Sequence, residues 1–431
     1  MRDILVTAIV FGVLPFIFKR PWIGIMLWCW LGYMNPHRQT WGFAYDMPFA
    51  FICAIVTITA FLFSKEEKEM IWTRETVLLL MFVGWMLITT FFAFYSDLAW
   101  LQWDKVWKIQ LMVFLTAMII KERKHLYWMI WIIALSLGYY GVKGGIFTIV
   151  NGGAYRVQGP AGTFFGGNNE MALVLAMLIP LIRYLHLQAT QQWVRWGLAT
   201  AMVLSGVAAI GSQSRGGLLA MAAMGLFLWF KSRHKFITGI YLVVAVMIIG
   251  AVMPQEWYDR MNTIKTYEQD DSALGRINAW HTAFNVAKDR VTGGGYEMFR
   301  PPTFRQYAPE SFRVHDVHSI YFEVMGEHGF IGFGIFILLA LFTWLRANQV
   351  IRECKNDPGR KWAADLAAMI QVSLIGYGAG GAFLGLAYFD LTYHLMIILV
   401  LAAKFSGVLE KPATVPAKSP FAHPAARWEN K

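Results

Sequence analysis

The sequence predicts an all-α polytopic membrane protein with about 12–13 transmembrane helices and one long, partly helical loop on one side. Three observations predict it. Of the 431 residues, 57% are hydrophobic and only 15% are charged, where a soluble domain carries roughly a quarter charged residues. The apolar residues fall in blocks of about 15 to 22, the length a spanning helix needs. The basic residues then collect in alternate loops, as the positive-inside rule requires of a multi-pass chain. A soluble α/β chain would instead show short alternating runs or one-sided periodicity.

The blocks run over 4–18, 22–34, 47–63, 77–94, 106–120, 126–150, 171–187, 194–210, 216–230, 236–253, 319–345, 363–384 and 391–409. The first two are short for full spans, which leaves the count at 12 or 13 and the side of the N-terminus open. The first block has no basic n-region beyond Arg2 and no small-residue cleavage site, so it reads as a retained helix. The expected organisation is an N-terminal bundle over 1–125, central helices over 126–253, the long loop over 254–318, C-terminal helices over 319–409 and a disordered tail over 410–431 rich in Pro, Ala and Lys.

The net charge of +11 does not point to nucleic acid. Its sources are short clusters between apolar blocks: Lys19 and Arg20; Lys65, Lys68 and Arg74; Lys121, Arg123 and Lys124; Arg183 and Arg195; Lys231, Arg233 and Lys235; and Arg346 through Lys361. These belong at a cytoplasmic lipid face, which puts the opposite loops in the periplasm. The three cysteines, Cys29, Cys53 and Cys354, are far apart and show no metal or redox spacing.

The loops opposite the basic set hold the polar residues that need explaining. The longest, 254–318, has nine acidic and eight basic residues, and Ser272 is placed to cap a helix to about Lys288 with Leu274, Ile277, Trp280 and Phe284 on one face. Pro301-Pro302 marks irregular chain beyond the Gly293-Gly294-Gly295 turn.

Ser214-Arg215-Gly216-Gly217 stands where one apolar block gives way to the next. Free N–H groups at a helix start, small residues and a guanidinium fork together suit a diphosphate; an arginine snorkelling to headgroups gives the same spacing. Arg276 on the loop helix is either a solvated residue or a second arginine closing on the phosphates. His318, in His315-Asp316-Val317-His318, stands at the start of an apolar block, where an imidazole serves as a general base on a hydroxyl or as a structural interfacial residue. His315 and His318 would share a helix face and bind a metal only with a third ligand, which is not evident nearby. Arg156, followed by Gly159 and Gly166-Gly167-Asn168-Asn169, suits a tight re-entrant loop in which Asn168 or Asn169 caps the next helix.

These residues resemble a known group, the O-antigen ligase and polymerase superfamily. His318-Ser319-Ile320-Tyr321 followed by Glu327-His328-Gly329-Phe330-Ile331-Gly332 is similar to the family's His-Asn-Ser-Tyr stretch and the Glu-x-Gly-aliphatic-x-Gly helix start, with Ser319 standing where Asn is common. Ser214-Arg215-Gly216 resembles its Ser-Arg-Gly turn, Gly275-Arg276 its loop arginine, and Arg156 with Gly159 and Asn169 its Arg…Gly…Asn motif. The N-terminal 125 residues resemble the extension of exosortase-associated O-glycosylation ligases.

The resemblance implies a GT-C-like fold and a metal-independent, inverting glycosyltransferase with no cofactor. Its donor would be an undecaprenyl diphosphate-linked glycan, and the reaction would occur at the periplasmic face of a bacterial inner membrane. His318, Arg215 and Arg276 would be catalytic, with Arg156, Asn169, Ser214, Gly216, His315 and Tyr321 binding substrate. The favoured acceptor is lipid A core; a second carrier-linked glycan (polymerase) or a protein hydroxyl (O-oligosaccharyltransferase) is the alternative. The competing class is a transporter or flippase of lipid-linked glycans, which would place its charges at mid-membrane and show an internal repeat.

Overall fold

In the computed structural model the described residues, 1–232, 234–255, 257–258 and 271–409, form an all-α polytopic membrane protein. The helices are α1 (Arg2–Lys19), α2 (Trp22–Met34), α3 (Phe49–Phe63), α4 (Arg74–Phe91), α5 (Ser96–Ile119), α6 (Arg123–Val150), α7 (Asn168–Gln188), α8 (Gln192–Gly211), α9 (Arg215–Lys231), α10 (Lys235–Val252), α11 (Asp271–Asp289), α12 (Pro301–Tyr307), α13 (Ile320–Cys354), α14 (Lys361–Gly381) and α15 (Asp390–Phe405). Two 3-10 turns follow α2. Each apolar block of the sequence has become a helix. Among the described residues, five of them, α4, α6, α7, α8 and α13, are long and apolar enough to cross a membrane. The tail expected over 410–431, Arg233 of the basic loops and the side chain of Ser272 lie outside the described residues.

Helix packing is what places the loops. The innermost helices, α7 and α15, are buried along almost their whole length. α7 packs against α8, α9 and α14, and α15 against α5, α13 and α14. α13 carries α11 on one side and α4 on another. At its start α4 is fixed by a reciprocal cap: Thr76 N–H donates to Thr73 Oγ1 at 3.3 Å and Thr73 N–H to Thr76 Oγ1 at 2.8 Å, which satisfies two N–H groups the helix leaves open.

The basic loops do collect at one end. Arg20, Lys121, Lys124 and Lys404 line a cavity of about 770 Å³ together with Glu66, Glu67 and Glu69. Nearby, the half-buried Arg346 pairs with the buried Glu75 at 3.1 Å. The remaining loops meet at the opposite end, where Phe94 N–H donates to Gly294 O at 2.8 Å, Val157 N–H to Gly211 O at 3.2 Å and Asn168 Nδ2 to Ser212 O at 2.9 Å.

Four local expectations change. The α11 stripe of Leu274, Ile277, Trp280 and Phe284 is not its buried face; the buried positions are Gly275, Asn278, Ala279, Thr282, Ala283, Val286 and Ala287. Small side chains let α11 approach α13 closely and leave Ile277 and Trp280 to wall a cavity. Pro301-Pro302 opens α12 rather than irregular chain, because a proline at the first helical position lacks only an N–H that would be unsatisfied there. α7 starts at Asn168 with Gly167 as its cap residue and no side-chain cap; the Asn168 amide is spent on Ser212 O instead. Finally, His315 and His318 do not lie on a helix, since α13 starts only at Ile320.

Candidate active site

The site is built where α9 begins, under α11. Ser214 caps α9, accepting from Gly217 N–H at 3.1 Å. That orders the first turn and leaves Arg215 at its rim, with the Gly216 backbone against Gly380 of α14. Arg215, Gly216 and Leu219 of α9, then Ala273, Arg276, Ile277 and Trp280 of α11 and Phe383 after α14 enclose a cavity of about 420 Å³. The two arginines, 61 positions apart in sequence by their numbers, therefore share one recess whose remaining walls are apolar.

α11 is held over this recess by specific contacts. Trp280 Nε1 donates to Val317 O at 2.9 Å, and its ring stacks on Phe322. Asn278 Nδ2 donates to Glu310 O at 2.8 Å and Arg313 O at 2.9 Å, while Asn278 Oδ1 accepts from Glu310 N–H at 3.0 Å. These bonds pin the extended segment that ends in His318. Gly275 faces the His315 ring, where an added Cβ would lie 2.8 Å from His315 Cδ2.

His318 closes the constellation. Its ring is 5.4 Å from that of His315, and its Nδ1 is 3.5 Å from Asp316 Oδ2. Burial pushes the imidazole below its ordinary 6.5; Asp316 pulls it up, while Arg276 and His315 push it further down. Its backbone sits at φ 40°, a left-handed conformation uncommon outside glycine. Such strain collects at functional sites.

The other residues expected to bind substrate are placed differently. Arg156 is exposed and its Nε donates to Gln213 Oε1 at 3.4 Å, so it is tied to the turn before Arg215 without lining the recess. Asn169 is half-buried in the first turn of α7, beside Glu170, whose carboxylate is within electrostatic reach of Arg276 and Asp316. The Tyr321 hydroxyl donates to Gly378 O at 2.9 Å and its ring borders a separate apolar cavity between α13 and α14.

Sequence reasoning missed Glu170 as a neighbour of Arg276, and it missed the aromatic walls Trp280 and Phe383. No spacing signal links positions more than 100 residues apart. Among the described residues, no group of three or more His, Cys, Asp or Glu side chains is arranged to hold a metal ion.

Fold and recess together define a polytopic membrane protein with a two-arginine, apolar-walled site at one end. Residues 200–337 match the family model described as O-antigen ligase, which supports placing this region in that superfamily. The match spans Arg215, Arg276 and His318. Residues 1–190, which include Arg156 and Asn169, match a family of unknown function. No curated protein matches the chain. The O-antigen ligase match and the multi-pass architecture fit ligase- or polymerase-type enzymatic activity on a lipid-linked glycan.

Proposed function

We propose that the protein transfers a glycan from undecaprenyl diphosphate to an acceptor hydroxyl at the periplasmic face of the bacterial inner membrane, with lipid A core as the favoured acceptor. The single observation that carries this reading is the shared recess of Arg215 and Arg276. A lipid diphosphate is anionic at one end and apolar at the other. Two guanidinium forks match phosphate oxygens, and Leu219, Ile277, Trp280 and Phe383 offer the apolar wall its first isoprene units need.

The chemistry follows from charge. As the acceptor oxygen bonds to the anomeric carbon, the carbon–oxygen bond to phosphate breaks and its electron pair stays on the diphosphate. Arg215 and Arg276 stabilise that growing charge without reorganising, which is where preorganised donors contribute most. The acceptor proton passes to His318, which burial keeps neutral and ready to accept it. A single displacement inverts the anomeric centre. Arg156 and Asn169 act at the edge of the site, on the glycan rather than the phosphates.

The test is transfer by the purified protein in nanodiscs, given a radiolabelled carrier-linked glycan and an acceptor. Product without ATP supports the proposal; movement of the carrier across the bilayer without bond cleavage would instead make the protein a flippase. The acceptor is read from a deletion strain. Carrier-linked polymer accumulates while lipopolysaccharide loses polymer if the acceptor is lipid A core; single-repeat chains indicate a polymerase, and lost glycoprotein bands indicate protein glycosylation.

A further inference from the structure

A second polar assembly lies deeper in the fold, where the proposed reaction does not use it. Glu327 Oε2 is 2.6 Å from the Tyr388 hydroxyl. That hydroxyl is 2.8 Å from His328 Nε2, and His328 Nδ1 is 2.6 Å from Thr89 Oγ1, which is 2.9 Å from Met86 O. All four side chains are buried. The chain joins α13, the segment before α15 and α4. It also reaches the glycine turn after α11, because Glu327 Oε1 accepts from Glu297 N–H at 2.8 Å and Glu327 O from Gly295 N–H at 2.8 Å.

Counting hydrogens distinguishes two states. If Glu327 is ionised, Tyr388 must donate to it, His328 Nε2–H to Tyr388 and Thr89 to His328 Nδ1. The Thr89 hydrogen is then lost to Met86 O. If Glu327 carries a proton, every bond reverses: Glu327 donates to Tyr388, Tyr388 to His328 Nε2, His328 Nδ1–H to Thr89, and Thr89 to Met86 O. A doubly protonated His328 facing an ionised Glu327 would use the same contacts but bury two separated charges; with His328 neutral, only the second state uses every contact. It also leaves no charged group in a buried site, where an uncompensated carboxylate is strongly disfavoured. No cation offsets such a charge: among the described residues Glu327 forms no ion pair, and the charges within reach are the carboxylates of Glu323, Glu297 and Asp316. Glu297 is itself paired outward with Arg300 at 2.7 Å.

We infer that Glu327 works as a neutral carboxylic acid donating to Tyr388, at the head of a Tyr388–His328–Thr89 hydrogen-bond chain that positions α11 and the start of α13. Glu327 is thus a positioning residue. Its polarised chain fixes the two elements that carry Arg276 and His318, and the part of the inference that concerns transfer rests on the proposed function. The neighbouring Gly329, at φ 66°, supplies the bend in α13 that lets the chain form; an added Cβ there would lie 2.2 Å from Val291 O.

Gln mimics the protonated acid, since its amide donates to Tyr388 while its oxygen accepts from Glu297 N–H. Infrared spectra of the full-length protein in nanodiscs, with ¹³C-labelled glutamate, should show a carboxylic-acid band at neutral pH that Glu327→Gln removes. Glu327→Gln should fold and keep transfer close to the native rate. Tyr388→Phe and Thr89→Val each strand a buried donor and should lower kcat about tenfold with KM for the carrier unchanged. A spectrum unchanged by Glu327→Gln, a Gln variant that is unfolded or inactive, or a Tyr388→Phe variant with native kcat would each overturn the inference. Native protein that catalyses no transfer would overturn the proposed function, and the band would still decide the protonation of Glu327.

Discussion

The rings of Trp280 and Phe322 lie parallel, with centroids 5.1 Å apart and planes 9° from coplanar. α11, which carries Arg276, is thereby clamped to the first turn of α13, directly after His318. The arginine lies on α11 and the histidine in the extended segment before α13, and this stack ties the two elements together.

Trp280→Ala should separate them. It removes the stack and the bond to Val317 O, a loss of about 2 kcal/mol from an aromatic pair and one hydrogen bond. Thermal unfolding should shift down and transfer should fall with it. Reduced stability with undiminished transfer would show that the clamp does not aim the site.

Arg215→Lys and Arg276→Lys each keep the charge but lose the planar fork. A charge-assisted hydrogen bond contributes about 1.5–3 kcal/mol, so each variant should transfer roughly ten- to a hundredfold more slowly. Steady-state rates against carrier concentration check this. Wild-type kinetics in both lysine variants would remove the forked contact from the mechanism.

The pH profile should report His318. Its folded value lies below 6.5 because burial outweighs the attraction of Asp316, and a base accepts a proton only while neutral. Transfer should therefore be flat around neutrality and fall as pH drops through the lowered value. Asp316→Asn removes the one influence that raises it, so the acid limb should move to still lower pH. A limb that moves upward would contradict the assignment. His318→Ala should abolish the limb along with most of the rate.

Gly275→Ala places a methyl 2.8 Å from His315 Cδ2 and 3.0 Å from its Cβ. Overpacking of this kind costs about 1–3 kcal/mol, and the strain is relieved by lifting α11 from the 308–318 segment. Transfer should drop while insertion and overall helicity, followed by circular dichroism, stay native. An unaffected rate would show that α11 has slack against His315.

Hydropathy and charge alternation were enough to read each apolar helix from Arg2–Lys19 to Asp390–Phe405, though not the short α12, and to sort the loops into two sets. Both signals are local: a spanning helix declares itself by length and polarity, and a basic loop by its own lysines and arginines. The helix start at the Ser214–Gly217 turn and the loop helix were legible for the same reason. Contacts between distant residues were not. For Arg276 the spacing left a solvated residue and a second phosphate-binding arginine both open, and nothing local indicates that Tyr321 turns to Gly378 or that Glu170 comes within electrostatic reach of Arg276. Nor does the α11 pattern reveal that its small residues, not its large ones, would be buried. The sequence by itself determined which apolar segments are helices and which loops carry the polar residues, because those depend on partition between water and lipid. Which of those polar residues face one another was decided only by tertiary packing, because close approach of α9, α11, α13 and α14 depends on shape at contacts such as Gly216 on Gly380 and Gly275 on His315.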